Sequence, residues 1–499
     1  MSIYQQTMVR LHMAKMAMGP WARLKRYARD PARTQAALLQ RILRAHSDTQ
    51  FGNQYRFPTL TDARSYTATV PMHDYEALRP FIDRQMQGQE AILTAESPCH
   101  YLLTSGTTGQ PKHLPLTKSA LRHLRDCQQL AAYNHFREAP LLFSGRLLSM
   151  TGAGTEGHLP SGVPYGCLSG VLLDAMTGFM RRRSLPSAAL EHRYEAIARE
   201  AAAAPDITAA ITANPSSFLR LKEWMVREGV LSADSRLGDL WPNLQAIITW
   251  THGNCAPYIP ALRQEFPNAT ILEAGYLASE LYGTIPIGQG RCVPALGHYF
   301  FEFIEVSAWD EGIRETQLLH ALEQGKRYYV IVTSESGLYR YSMHDIVETD
   351  GMFQNTPCLR FVQKGKGVTS VTGEKLYEGQ LLLAMEKVWG HTPDAAFFLA
   401  LAHRDPAHYR LYVESPHIQA DMAERVDAAL ASFNIEYKAK RDSGRLQPLR
   451  LMSLTRGAGE AYRQHCIDHG QRDAQWKIIR LHHADACHFD FTPFLQEPS

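Results

Sequence analysis

The chain has 499 residues, too many for one hydrophobic core, so two domains or more are expected. Its 45% hydrophobic and 20% charged residues are those of an ordinary globular protein and exclude a long disordered region. Lys and Arg number 52 against 50 Asp and Glu, a near-balance that excludes a protein built to coat nucleic acid and points to small-molecule partners.

The first hundred residues read mainly as helix. "TQAALLQRILRAH" has apolar residues at three- and four-residue spacing and ends before the turn-prone "SDTQFGN". The one basic stretch, "WARLKRYARDPAR", lacks a long apolar face and reads as a solvated helix face. Next, "HYLLTSG" is a strand entering a Gly-rich turn, and "SALRHLRDCQQLAAYNHF" is a helix. That order is typical of a ligand-binding edge in an α/β domain. "LQAIITW", "ATILEAGY", "HYFFEFIEV" and "RYYVIVTS" are strands, with helices such as "SSFLRLKEWMVREG" between them. The pattern changes in "VTSVTGEKLYEGQLLLAMEKVWG", which places a domain boundary around Thr372 to Lys375. Beyond it, "AAFFLALAHRDPAHYRLYVES" reads as two strands around a Pro-containing turn and "DMAERVDAALASFN" as a helix, the makings of a small α+β domain.

Eight cysteines are scattered without a CxxC pair, which suits a reducing compartment, and a cytoplasmic location is expected. No run approaches the length of a membrane span, and the N-terminus has too many polar breaks for a signal sequence. "HHADACH" groups His482, His483, Cys487 and His488, but the spacing fits no zinc motif and surface imidazoles are the expectation.

Chemistry concentrates in "YLLTSGTTGQPKHLPLT", residues 101–117. Gly106 and Gly109 permit positive φ, so several backbone N–H groups can converge on one anion. Thr104, Ser105, Thr107 and Thr108 add hydroxyls, and Lys112 adds a point charge; polyphosphate is the ligand this suits, although a plain turn has the same composition. The spacing is not that of a Walker loop. The ordered string T-S-G-T-T-G-x-P-K resembles the phosphate loop of the adenylate-forming superfamily.

Further blocks narrow the resemblance. "HSDTQFGNQYRF", "VPMHDYEALRPFIDRQMQGQEAILT", "WPNLQAIITWTHGNCAPYIPALRQEFPNATILEAGYLASE", "GLYRYSMHDIV", "LRFVQKGKGVTSVTGEKLYEGQ" and "GQRDAQWKIIR" follow in the order found in the Gretchen Hagen (auxin-responsive promoter) family of acyl-acid amido synthetases. The similarity spans nearly the whole chain. It implies an α/β fold of the adenylate-forming type. A large N-terminal domain over residues 1–372 would carry the nucleotide and the acyl acid, and a smaller, mobile α+β cap domain over 373–499 would hinge at Thr372, Gly373, Glu374 and Lys375. It implies ATP and Mg²⁺, a carboxylic acid activated as its adenylate, and an amine acceptor, most simply an amino acid. A thioester-forming ligase shares the first step, and a homologue with impaired catalysis is a second alternative.

The residues that match the family's motifs also have physical readings. Tyr276 offers an aromatic face for adenine, Ser279 a hydroxyl near the α-phosphate, and Glu280 a hard oxygen ligand for Mg²⁺. Asp345 can accept from both ribose hydroxyls. His344 stands where the family has glycine and Ser342 where arginine is common, so a different local backbone is expected. Lys364 takes the place of the hinge arginine, keeping the charge and losing the bidentate fork. Gln475, Trp476 and Lys477 match Q-[YF]-K, whose lysine would stabilise charge on the α-phosphate. Thr251, His252 and Gly253, with Ser169, are the candidates for the acyl pocket; for His252 a satisfied loop histidine is the competing reading.

Overall fold

A computed structural model covers the chain and describes all residues except 1–2, 105–111, 177–192, 366–367, 373, 375, 390–396, 417, 470–477 and 497–499. Two compact units are present. The first takes in Met1–Thr104 and Pro111–Phe361, and the second Val362–Ser499, so the chain passes from one to the other within the strand Thr356–Lys364. Of the expected hinge, Gly373 and Lys375 lie outside the described residues. Glu374 is buried in the second unit, where its carboxylate accepts from Tyr409 Oη at 2.7 Å and from the Val371 and Thr372 amides.

In the first unit, helices at Pro31–Ala45, Ala63–Thr69 and Tyr75–Met86 fill the first hundred residues, each opened by an aspartate whose carboxylate accepts a backbone N–H of the first turn. Three sheets of four or more strands follow among the described residues. In the parallel one the strands Arg146–Ser149, Ile207–Ile211, Ala246–Thr249 and Thr270–Glu273 lie side by side in chain order. Their apolar runs are continuous because both faces are covered. Leu148, Ala210 and Ile247 pack with Phe218, Leu221 and Trp241, while the alternate residues Leu147, Ala209, Ala246, Ile248 and Leu272 pack with Phe143. The second sheet pairs His100–Thr104 antiparallel with Lys112–Leu116, so the two arms of the phosphate-loop motif are held in register, Thr104 opposite Lys112. In the third, Tyr299–Glu305 and Arg327–Ser334 lie between Gln317–Leu318 and Tyr341–Phe353, with Thr356–Lys364 outermost.

Arg340 sits just before the strand Tyr341–Phe353 and is 6% exposed. Its Nε lies 3.1 Å from both oxygens of Glu302, itself 1% exposed, and its Nη1 donates to the Thr67 and Val70 carbonyls at 2.8 Å. His73 N–H donates to the Arg340 carbonyl at 2.9 Å, and Ser342 N–H to the His73 carbonyl at 2.8 Å. The "VPMHDYEAL" and "GLYRYSMHD" blocks are thus one bonded structure, nearly 270 residues apart for His73 and Tyr339.

In the second unit the strands run Arg450–Ser453, Ala407–Glu414, Phe397–Arg404, Leu481–His483, an antiparallel hairpin flanked by parallel strands. One face carries the helices Glu378–Trp389 and Met422–Phe433, and the other packs on Tyr462 and Phe491. This is the α+β unit expected from the sequence.

Candidate active site

Asp345 lies at an irregularity in its strand. Ile331 pairs with Ser342 and Tyr329 with Ile346, so Met343, His344 and Asp345 stand opposite Val330 alone. Such bulges re-aim side chains. His344 has φ 51°, in the left-handed region that favours glycine. The histidine thus holds a backbone conformation that glycine adopts readily, with its ring edge-on to Trp309 at 6.2 Å.

Asp345 is 2% exposed. Its Oδ2 accepts from Tyr276 Oη at 2.7 Å, and its Oδ1 has no hydrogen-bond partner among the described residues. A buried carboxylate oxygen left open is costly unless a donor arrives, so the geometry suits a hydroxyl-bearing ligand. Burial, then the adjacent Asp345, pushes the Tyr276 hydroxyl well up, which keeps it a proton donor to the carboxylate. The Tyr276 ring stacks on Phe361, centroids 5.7 Å apart at 17°. Gly275 precedes it at φ 90°, where a Cβ would lie 2.6 Å from the Thr284 carbonyl oxygen. Ser342 Oγ is buried and, among the described residues, has no hydrogen-bond partner.

Ser279 and Glu280 form the tip of a tight hairpin, since Ala278 pairs with Leu281 and Leu277 with Tyr282. Both are half-buried. Tyr341 forms a bridge with His73, just before the helix Tyr75–Met86. Burial raises its hydroxyl pKa, and the charges of Glu280, Asp74 and Asp345 and the Tyr75 phenol add to the effect, which places these groups around one side chain. Tyr75 Oη accepts from the His113 amide at 2.9 Å, and Lys112 Nζ lies 5.2 Å from the centre of the Tyr75 ring. Lys112, Glu280, Asp345 and Tyr276 thus belong to one neighbourhood built around Tyr75 and Tyr341.

Thr251 and His252 follow the strand Ala246–Thr249, at the carboxyl ends of the parallel strands, where ligands bind in open α/β sheets. Glu273, ending the next strand, organises them. Its Oε2 accepts from the Thr251 amide at 2.9 Å and from the Thr251 hydroxyl, and lies 2.9 Å from His252 Nδ1; its Oε1 accepts from the Gly275 amide at 2.8 Å. Gly253 has φ 57° and opens a 3₁₀ turn. Ser169 is in the first turn of the helix Leu168–Ala175, its Oγ accepting at 3.3 Å from the N–H of Gly152, which follows the strand Arg146–Ser149 of this sheet. Burial raises the Glu273 pKa, but the bonds from His252 and Thr251 outweigh it and hold the carboxyl below its ordinary value of 4.5. A depressed carboxyl contributes stability that is present above the unfolded pKa and lost as pH falls through the folded one. Glu273→Gln should therefore flatten the loss of stability below about pH 4.5; denaturant titrations across that range check this.

Glu273 and Tyr75 were not singled out from sequence. The only signal for Glu273 is an acidic residue closing the apolar run "ATILE". Lys364 ends its strand and belongs to the second unit. Thr104 is described only as the end of a strand. Ser105, Gly106, Thr107, Thr108, Gly109 and Lys477 lie outside the described residues. Among the described residues no three His, Cys, Asp or Glu side chains are grouped to hold a metal ion. A Mg²⁺ at Glu280 would draw most of its oxygens from phosphates and water. His482 is not the surface imidazole expected: burial lowers its pKa, and Nε2 lies 2.7 Å from the Ile479 carbonyl.

The GH3 family N-terminal domain matches residues 21–199, the GH3 family central domain 292–364 and the GH3 family C-terminal domain 380–485. The jasmonoyl–L-amino acid synthetase GH3.5 of Oryza sativa subsp. japonica is 24% identical over 91% of this chain and 92% of its own. The indole-3-acetic acid-amido synthetase GH3.3 of Arabidopsis thaliana is 22% identical over 93% and 90%. The solved structure of a GH3.15 acyl acid amido synthetase shares the fold with a TM-score of 0.82 at 20% identity, covering 95% of this chain and 96% of that one. With all three of its domains matched in order along the chain, this protein belongs to the GH3 family of acyl-acid amido synthetases.

Proposed function

We propose that the protein is an ATP-dependent carboxylic acid–amine ligase. A carboxylate attacks the α-phosphate of ATP to give an acyl-adenylate and pyrophosphate, and an amine, most simply an amino acid, then displaces AMP to give the amide. The observation that carries this is the buried Asp345, one oxygen held by Tyr276 and the other open, in the neighbourhood that also holds Glu280 and Lys112. Asp345 would take ribose hydroxyls, the Tyr276–Phe361 pair adenine, Lys112 phosphate charge, and Glu280 a Mg²⁺ that offsets charge on the phosphates. Thr251, His252 and Ser169 would border the acyl carbon. No protein nucleophile is needed, because adenylation creates the leaving group; positioning and electrostatics suffice.

The phosphate-binding role of residues 104–109, the α-phosphate role of Lys477 and a hinge near Thr372–Lys375 rest on the sequence motifs. A cytoplasmic location is supported by eight free cysteines. No helix among the described residues is long and apolar enough to cross a membrane.

Acid-dependent pyrophosphate release from ATP and Mg²⁺ tests the first step. Lys112→Ala and Glu280→Ala should each lower it at limiting ATP by about 100-fold or more, the usual scale for removing one electrostatic group from a transition state. Wild-type release by either variant removes that residue from the site.

A further inference from the structure

Amide formation has a proton problem that adenylation lacks. An amino acid arrives as an ammonium and sheds two protons in all, one to expose the lone pair and one as the C–N bond forms. Meanwhile the bond from the acyl carbon to the phosphate oxygen breaks, its electron pair leaving with AMP. A base near the acyl carbon therefore accelerates the second step and is idle in the first.

We infer that His252 is this base: its Nε2 accepts the proton that leaves nitrogen as the C–N bond forms, the other proton going to solvent, and Glu273 is the positioning residue that fixes its tautomer. The inference rests on the ligase reading above. Glu273 Oε2 lies 2.9 Å from His252 Nδ1, and a carboxylate can only accept, so Nδ1 carries the hydrogen and Nε2 is left as the acceptor. The carboxylate is fixed in turn by the amides of Thr251 and Gly275 and by the Thr251 hydroxyl. Glu273 is nearly buried while the His252 side chain keeps 28% of its exposure. Both line a cavity of about 390 Å³ beside the edge strand, enough for the side chain of an acceptor. A satisfied loop histidine needs neither a dedicated buried carboxylate nor a cavity. The charged groups facing this cavity are Glu273 on the edge strand, Arg263 on the helix Ile259–Glu265, Glu138 at the end of the helix Lys118–Glu138, and Arg291 on the strand Arg291–Pro294. Glu138 also accepts from the Gln289 amide at 2.8 Å, so Glu273 is the carboxylate that bears on the imidazole.

The test uses the full chain, the carboxylic acid giving most pyrophosphate from an aryl and alkyl panel, and a mixture of the protein amino acids. The readout is amide formed per pyrophosphate released. His252→Gln, which can still donate to Glu273, should lower this ratio about 100-fold, within the usual range for a general base. Glu273→Gln, whose amide no longer fixes the imidazole tautomer as the carboxylate does, should lower the same ratio by about 10-fold. Hydroxylamine, mostly free base near neutral pH and reactive toward adenylates unaided, reports adenylation separately as the hydroxamate. A wild-type ratio in His252→Gln, or in Glu273→Gln, overturns the inference and leaves the ligase reading standing. Loss of the hydroxamate in step with the amide also overturns it, since His252 would then serve the acid or adenylation. No pyrophosphate from the wild type with any acid overturns the ligase reading and this inference together.

Discussion

Replacing Arg340 by alanine should lower the free energy of unfolding of the first unit by about 3–5 kcal/mol, the cost of stranding one partner of a buried ion pair. Against a total of about 5–15 kcal/mol for a typical domain, that is enough to leave much of the protein unfolded at physiological temperature. The residue lies in a motif associated with nucleotide binding, yet its donors are spent on Glu302 and on the carbonyls of Thr67 and Val70. Glu302→Gln should cost less, because an amide oxygen can still accept one of those bonds. Arg340→Lys should fall between, since a single ammonium cannot reproduce the fork. Urea titrations measure all three. A shift under about 1 kcal/mol for Arg340→Ala, the range of an exposed pair, would contradict the structural role given to Arg340 here.

The second large effect is expected at Asp345. Asp345→Ala should raise the KM for ATP by about 10- to 100-fold and leave kcat within a few-fold, because hydrogen bonds to ribose hydroxyls act equally in ground and transition states. The structure adds a second expectation. Tyr276 Oη would lose its acceptor, so the same variant should also lose about 1–3 kcal/mol of stability, the cost of a buried donor left unpaired. Steady-state kinetics and a denaturation curve on one preparation separate the two. An unchanged KM for ATP would make Asp345 a structural partner of Tyr276.

Much of this was legible in the sequence because its signals are local. The continuous apolar runs "LQAIITW" and "ATILEAGY" appear as neighbouring parallel strands, and the α+β character of the last part of the chain follows from one hairpin and its helices. The site motifs Asp345 and Tyr276, 69 residues apart, proved to be hydrogen-bonded. What could not be read depends on long-range geometry. Glu273 looks like the polar end of a strand until His252 is placed 21 residues away at bonding distance. Arg340 is an unremarked residue of "GLYRYSMHDIV" until Glu302 and the Thr67 and Val70 carbonyls, all distant in sequence, are placed around it. His344 has a φ in the region that favours glycine, which could not be read because sequence shows the residue and not the backbone region it occupies.

The central claim is that the carboxyl group activated by ATP ends in an amide. The most direct measurement is an acid-by-acceptor screen with mass detection: carboxylic acids, ATP and Mg²⁺ with amino acids in one arm and coenzyme A in the other. The account predicts acid-dependent AMP and pyrophosphate with an N-acyl amino acid as product, and no thioester above background. A thioester in the coenzyme A arm with no amide in the other would contradict it.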